Sequence, residues 1–460
     1  MYRRLIPLSL LLLISCSKEE LWLDQSPDDS NESKFVSFSE TFSPINLTTS
    51  FYRNQEYVSE TLSKQFIRTN LSVKFDGHSE WFTFHRNVAV TDLDNDGKQD
   101  VLAFASSFCD VHDYSYHKGK YIFISDYKGS SVKEIVDSDH YFGSGDMAVN
   151  DYDGDGKPEV LFYSTETKMN TYIEVENIGG SGNFSPLPPT IIYYQNGIKF
   201  RYVGFAGDSH TGTSGDIDND GDVDFIQWPI PSTFNYEPFS YSPLIQSNFG
   251  GSFIESNLVM DVDFSWYATA TELFDINLDG NLDLIVGWRT GIPRWGEDSS
   301  FFHDNLTAPI ILLGDGSGKF YLSNSIQLSE TVLTSKNISA SVLGYGFTDY
   351  DSDGDIDIIV STTRDEPGGS FEEGTYYDNY YLILFENQNG SFVDVTDQKI
   401  DGSFNQSREF PNFYKIKTID IDQDGDIDFI PDAIANWGSI NYSSNLYWEN
   451  TGGKFVRTYR

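Results

Sequence analysis

Beyond the first fifteen residues, the apolar positions of this 460-residue chain fall in short β-type runs and never in a sustained i, i+3, i+4 spacing, which predicts strands and no long helices. Six runs share one context. Val101-Leu102-Ala103-Phe104, Val160-Leu161-Phe162-Tyr163, Phe225-Ile226, Leu284-Ile285-Val286, Ile358-Ile359-Val360 and Phe429-Ile430 each follow an acidic stretch of nine residues. Further along comes a third apolar run, then a Gly turn and a Phe-led strand, as from Tyr381 to Phe392 through Asn387-Gln388-Asn389-Gly390, and from Leu446 to Phe455 through Asn450-Thr451-Gly452-Gly453. Such a turn between two strands predicts a hairpin.

The acidic stretches read D-x-[DN]-x-D-G-x-x-[DE], and their starts lie 59, 65, 59, 74 and 71 residues apart. A period of that length made of strands predicts a β-propeller with about four strands to a blade. Side-chain oxygens at positions 1, 3, 5 and 9, with the backbone carbonyl of position 7, form a hard-oxygen cage, and Gly at position 6 permits the sharp turn. Calcium is the expected occupant, in about six mainly structural sites. The candidate ligands are Asp92, Asp94, Asp96, Lys98 and Asp100; Asp151, Asp153, Asp155, Lys157 and Glu159; Asp216, Asp218, Asp220, Asp222 and Asp224. The later turns supply Asp275, Asn277, Asp279, Asn281 and Asp283; Asp349, Asp351, Asp353, Asp355 and Asp357; Asp420, Asp422, Asp424, Asp426 and Asp428. An EF-hand is excluded, because its loop closes with a Glu at position 12 and leads into a helix.

Charge narrows the partners. Asp and Glu number 70 against 30 Lys and Arg, a formal charge of -40, which disfavours nucleic acid because phosphate neutralisation needs clustered basic residues. Acidic polysaccharides are disfavoured too, unless calcium or a local basic pocket intervenes.

The N-terminus has a basic start, an apolar stretch and Leu13-Ile14-Ser15-Cys16, which predicts a secretory signal over residues 1–15. Cys16 at the cut resembles a bacterial lipobox, implying lipidation of Cys16 and attachment to the outer membrane. Lys18-Glu19-Glu20 resembles the export tag of surface-exposed lipoproteins. Residues 16–33 are polar and predict a flexible tether, with a soluble, monomeric domain over 34–460. Cys109 has no partner once Cys16 is acylated, so no disulfide framework is expected.

Turn, following strand and N-x-G-x-F hairpin, recurring in that order over roughly residues 85 to 460, resemble the FG-GAP/VCBS repeat family, whose relatives include the integrin α-subunit propeller and bacterial lectins and lyases. The resemblance implies an all-β propeller, usually of seven blades. Six calcium turns are visible, so a metal-free seventh blade is expected over residues 34 to 75, with six blades as the alternative. The family topology puts the calcium turns on one face and the longer connections on the other. Here those connections are rich in aromatics, and Trp81, His85, His210, Trp228, Trp288, Arg289, Trp295 and Trp437 are the candidate ligand-binding residues. Aromatic faces dock sugar rings and partner proteins alike. The expected function is binding of an extracellular ligand, a glycan in first place, with a polysaccharide lyase and a protein-adhesion module as alternatives. No spacing ties the His, Arg and acidic residues into a catalytic set, and no nucleophile elbow, zinc set or phosphate loop is present.

Overall fold

The computed structural model describes strands and turns between Phe35 and Tyr459, leaving outside the description residues 1–34 and much of the connecting chain, including 108–119, 170–183, 230–242, 289–308, 365–377 and 436–445. Six antiparallel meanders of four strands follow one another. The first comprises Val88–Thr91, Asp100–Ser107, Lys120–Ser125 and Ser131–Asp137. The second comprises Asp146–Asn150, Glu159–Tyr163, Thr190–Tyr194 and Ile198–Tyr202. The third comprises Ser209–Gly215, Asp224–Pro229, Leu244–Phe249 and Ser252–Asn257. The fourth comprises Ala268–Phe274, Asp283–Trp288, Ile310–Gly314 and Phe320–Gln327. The fifth comprises Ala340–Thr348, Asp357–Arg364, Asp378–Asn387 and Phe392–Asp394, extended by Phe404–Asn405. The sixth comprises Ile416–Ile419, Asp428–Pro431, Leu446–Asn450 and Phe455–Tyr459. Among the described residues the helix is a single turn, Thr396–Lys399.

Consecutive sheets are stacked face to face, and each junction has its own core. Phe104 and Tyr121 of the first sheet pack with Val160 and Phe162 of the second, and Leu161 and Tyr163 with Phe225 of the third. Ile226 and Trp228 pack with Leu284 and Val286 of the fourth, and Ile285 with Ile358 and Val360 of the fifth. Ile359 then packs with Phe429 and Trp448 of the sixth. Second strands therefore send alternate residues to opposite junctions, as the two-residue period of a strand requires. Coverage on both faces is why these runs are continuously apolar instead of alternating.

First strands of neighbouring sheets also lie side by side, and their free edges are linked through hydroxyls. Thr271 N donates to Thr211 Oγ1 (3.0 Å) and Leu273 N to Thr213 Oγ1 (3.1 Å). Thr269 Oγ1 donates to Val342 O (2.6 Å), and Thr418 Oγ1 to Phe347 O (2.8 Å). From the third sheet to the sixth, edge groups of one sheet are thereby satisfied by its neighbour.

Among the described residues, 34 to 75 form no separate four-stranded sheet. Ile45–Arg53 and Glu56–Lys64 form a two-stranded hairpin, while Phe35–Ser37, Ser72–Lys74 and Trp81–Thr83 join the first sheet. The strand Ile45–Arg53 lies against Ile416–Ile419 of the last sheet, so the N-terminal strands touch both the first and the last meander.

Candidate metal centres

Every acidic nonapeptide is the connection from first to second strand of its sheet, and the acid at position 9 is the first residue of that second strand. Glycine at position 6 takes φ between +85° and +102° in all six turns, a region closed to most side chains. The acid at position 1 folds the turn around itself. Asp216, for example, accepts from Asp220 N at 3.1 Å and from Gly221 N at 3.0 Å, and Asp92, Asp275 and Asp349 repeat the pair.

Position 9 has a second structural task that the motif does not announce. One oxygen of Asp100, Glu159, Asp224, Asp283, Asp357 and Asp428 accepts the N–H of position 2 at 2.7 to 3.2 Å. In four sheets the other oxygen accepts from the end of the third strand: Asn248 N (2.7 Å), Gly314 N (2.9 Å), Asn387 N (2.8 Å) and Asn450 N (2.7 Å). One carboxylate thus ties the turn to the hairpin between strands three and four. Position 7 adds to this: Asp222 Oδ2 accepts from Gly250 N at 2.6 Å and Asp426 Oδ2 from Gly452 N at 3.2 Å. Acidic turns and hairpins consequently share one end of the sheets. The connections from second to third strand, and from fourth strand to the next sheet, leave from the opposite end.

Carboxylates at the first end are crowded beyond what hydrogen bonds can relieve. Ligand oxygens of Asp151, Asp153, Asp155 and Glu159 lie within 4.8 Å of one another, as do those of Asp92, Asp94 and Asp96; Asp216, Asp218 and Asp224; Asp349, Asp351 and Asp353; and Asp420, Asp422 and Asp428. Two like charges 4 Å apart repel by about 4 kcal/mol at an effective dielectric of 20. Burial, then the neighbouring acids, push Asp224, Asp283 and Asp428 up from 3.8, and Glu159 up from 4.5, to about 7, against the lowering by their backbone N–H bonds; Asp357 rises to about 8. Buried oxygens of Asp151, Asp218 and Asp355 (Oδ1 in each) have no hydrogen-bond partner. Oxygen-only, multiply anionic cages with unsatisfied buried acceptors fit a hard divalent cation of the calcium type, which takes six to eight oxygens. These clusters can hold metal ions.

Two turns carry local relief. Lys157 Nζ pairs with Asp155 in the second turn and Lys98 Nζ lies 3.8 Å from Asp96 in the first, both at exposed surface. The fourth turn differs in kind. Its oxygens do not converge as an acidic cluster, and Asn277 Nδ2 donates to Asp279 Oδ2 at 3.1 Å, binding one ligand position to another.

The expected ligand face needs a correction at Trp228. Its side chain is fully buried, packed with Ile217, Ile226 and Leu284 at the junction of third and fourth sheets, so it offers no surface to a ligand. Trp81, His210 and Trp288 lie in strands, Trp288 as the last residue of Asp283–Trp288, at the end opposite the acidic turns; their side chains lie outside the description. His85, Arg289, Trp295, Trp437 and Cys16 also lie outside the described residues. The residues missed from sequence are the hairpin asparagines Asn248, Asn387 and Asn450. The N-x-G signature marked their turn, but nothing local announces the partner carboxylate more than twenty residues away.

No family model and no curated protein matches the chain. Solved structures similar to it include the V. cholerae biofilm matrix protein Bap1 (TM-score 0.34, 13% identity, 73% of this chain and 42% of that one) and exotype rhamnogalacturonan lyase YesX (0.33, 12%, 82% and 58%). Rhamnogalacturonan lyase YesW is similar at 0.31 and 11% identity, with 81% and 60% covered. The chain covers less than two thirds of each of these proteins, and at such TM-scores the likeness assigns no activity.

Proposed function

We propose that the chain is a lipid-anchored surface protein of FG-GAP/VCBS type, a propeller whose blades are stabilised by calcium and whose far end binds an extracellular ligand, a glycan in first place. The observation that carries this reading is the division of labour between the two ends of the sheets. Short acidic turns and hairpins consume one end in hydrogen bonds and ion cages, while every long, aromatic-rich connection leaves from the other. The propeller reading is supported by the face-to-face row of six sheets and by N-terminal strands that touch its first and last members.

Anchoring through Cys16 to the outer membrane rests on the N-terminal sequence alone. Metabolic palmitate labelling of the wild-type chain, lost in Cys16→Ala, tests it.

Residues 17–460 run through affinity gels containing a panel of neutral and uronic-acid polysaccharides test the ligand class. Retarded migration that disappears in Trp288→Ala or Trp295→Ala, with no unsaturated product absorbing in the ultraviolet, is the expected outcome. Product formation would replace the binder with a lyase, and no retardation by any polysaccharide would remove the glycan from the proposal.

A further inference from the structure

Three hairpins reach the acidic turn of the preceding sheet, whereas the second sheet's hairpin reaches Glu134 of the first sheet instead, through Ile198 N at 2.8 Å. Asn248, in the hairpin of the third sheet, donates Nδ2 to Tyr152 O at 2.8 Å, and Tyr152 is position 2 of the second sheet's acidic turn. Gly251 of that hairpin sits over position 3: a Cβ built on it would lie 3.2 Å from the Cβ of Asp153. Its carbonyl accepts from Arg201 Nη1 of the second sheet at 3.2 Å. The junction of fifth and sixth sheets repeats all three contacts. Asn450 Nδ2 donates to Tyr350 O at 2.8 Å, Gly453 stands over Asp351, and Gly453 O accepts from Lys399 Nζ at 3.1 Å.

Between third and fourth sheets the contact is made differently, with Gly318 over Asp218 and Asn219 Nδ2 donating to Asn281 Oδ1 at 3.0 Å, turn to turn. The junction of fourth and fifth sheets lacks the device. Asn387 makes the same bonds within its own sheet, to Asp357 and from Gly390 N, but no bond from its Nδ2 to the fourth turn is present among the described residues. A Cβ on Gly390 would meet nothing within 4 Å, and the acid at position 3 of the facing turn is replaced by Asn277.

We propose that the second and fifth acidic turns, and the third through its position 3 alone, are junction fasteners: an ion bound in one sheet holds the turn as the seat for the next sheet's hairpin. The proposal rests on the calcium reading above. A bound ion would be held in part by the position-3 carboxylate, and would thereby steady the backbone on which Tyr152 O and the Asp153 Cβ, or Tyr350 O and the Asp351 Cβ, meet that hairpin. Conversely, the hairpin asparagine of one sheet pre-orders the ion site of its neighbour, so binding is coupled across junctions instead of belonging to each sheet alone. The fourth turn, without this seat, titrates independently of the fifth sheet.

Three matched substitutions on the full chain test this. Asn248→Asp and Asn450→Asp keep the acceptor for Gly251 N or Gly453 N but set an anionic oxygen against Tyr152 O or Tyr350 O. Asn387→Asp adds the same charge beside an equivalent acid with no cross-sheet bond to lose. Amide exchange is followed by mass spectrometry with calcium chloride or chelator. Calcium-dependent protection of residues 151–159 is expected to fall about tenfold in Asn248→Asp, and that of 349–357 likewise in Asn450→Asp, the scale of one lost hydrogen bond. Asn387→Asp is expected to leave 275–283 as in the wild type. Unchanged protection of the neighbouring turn in both junction variants would overturn the coupling, as would an equal loss in 275–283 for Asn387→Asp. Absence of calcium-dependent protection in every turn of the wild type would instead remove the calcium reading itself. If one junction variant does not fold, the other carries the test.

Discussion

The two ends of the sheets are built from the same strands and are opposite in character. At one end the connections are short, acidic and repeated, every turn closing on a position-9 carboxylate that also holds the hairpin in four of the sheets. At the other end the connections are long and unlike one another, and rich in Trp, Tyr, Phe and His. One end crowds carboxylates that can hold metal ions, and the other departs from an apolar core with no such clusters among the described residues. The contrast teaches that the acidic end and the core between sheets can be perturbed separately.

Chelation is the largest lever on that separation. Sites of about 10⁻⁴ to 10⁻³ M affinity in millimolar calcium contribute roughly 0.5 to 1.5 kcal/mol each, and about six such terms rival a domain's net stability. Removing calcium with a chelator is expected to lower the melting temperature by on the order of 10 °C, with recovery on added calcium but not on equimolar magnesium, whose octahedral preference suits these cages poorly. A melting curve indifferent to chelator would break the comparison at its first term.

Trp228→Ala addresses the opposite claim, that the core between sheets is independent of both ends. Truncating a fully buried Trp costs about 3 to 5 kcal/mol through lost burial and the cavity left behind. Thermal melting should show this loss with calcium and with chelator alike, while polysaccharide retardation of the folded fraction stays at the wild-type value. Lost retardation with an unchanged melting temperature would return Trp228 to the ligand face.

What was legible in the sequence follows the same division. The acidic turns could be read because all their ligands lie within nine residues and the sharp turn demands glycine at position 6. The four-strand period was legible because the acidic turn recurs six times, and the hairpins because a Gly turn followed by a Phe-led strand is a local signal. Trp228 was misread because Ile226 and Trp228 point into one junction while Phe225 and even polar Gln227 are buried on the other face, so no exposed face marks an end to burial. The N-terminal strands were less legible, because Phe35–Ser37, Ser72–Lys74 and Trp81–Thr83 pair with the first sheet, and pairing between distant segments has no local signature. The cross-sheet bonds of Asn248 and Asn450 span 96 and 100 residues and were beyond any local pattern.

Acid sharpens the contrast next, with a sign fixed by the raised position-9 acids. In the unfolded chain these groups titrate near 4, whereas in the metal-free fold Asp224, Asp283, Asp428 and Glu159 titrate at about 7. Between roughly pH 4 and 7 the metal-free fold therefore holds protons that the unfolded chain has released, and its stability falls as pH rises through that window. A bound cation favours the ionised form, so the calcium increment grows as pH rises and shrinks as pH falls below about 7. The gap between calcium-loaded and chelated melting temperatures, measured from about pH 5 to about pH 8, should widen steadily. A gap independent of pH would mean that position 9 does not face the ion.

The smallest expected effect lies within the acidic end, at the one turn that departs from its neighbours. Asn277 stands where the other turns carry Asp, and its amide donates to Asp279, spending a ligand oxygen on an internal bond. Asn277→Asp removes that donor and adds a fourth carboxylate to Asp275, Asp279 and Asp283. The metal-free turn then gains like-charge repulsion, while the loaded turn gains an anionic ligand, and both changes steepen its dependence on calcium. Calorimetric titration should show the weakest class of sites in the wild type tightening several-fold in Asn277→Asp, with total stoichiometry unchanged and chelated stability slightly reduced. The opposite substitution at an equivalent place, Asp218→Asn, should weaken its own turn. If the two substitutions shift affinity in the same direction, charge at position 3 does not set the hold of these turns on their ions, and the acidic end is organised by its hydrogen bonds alone.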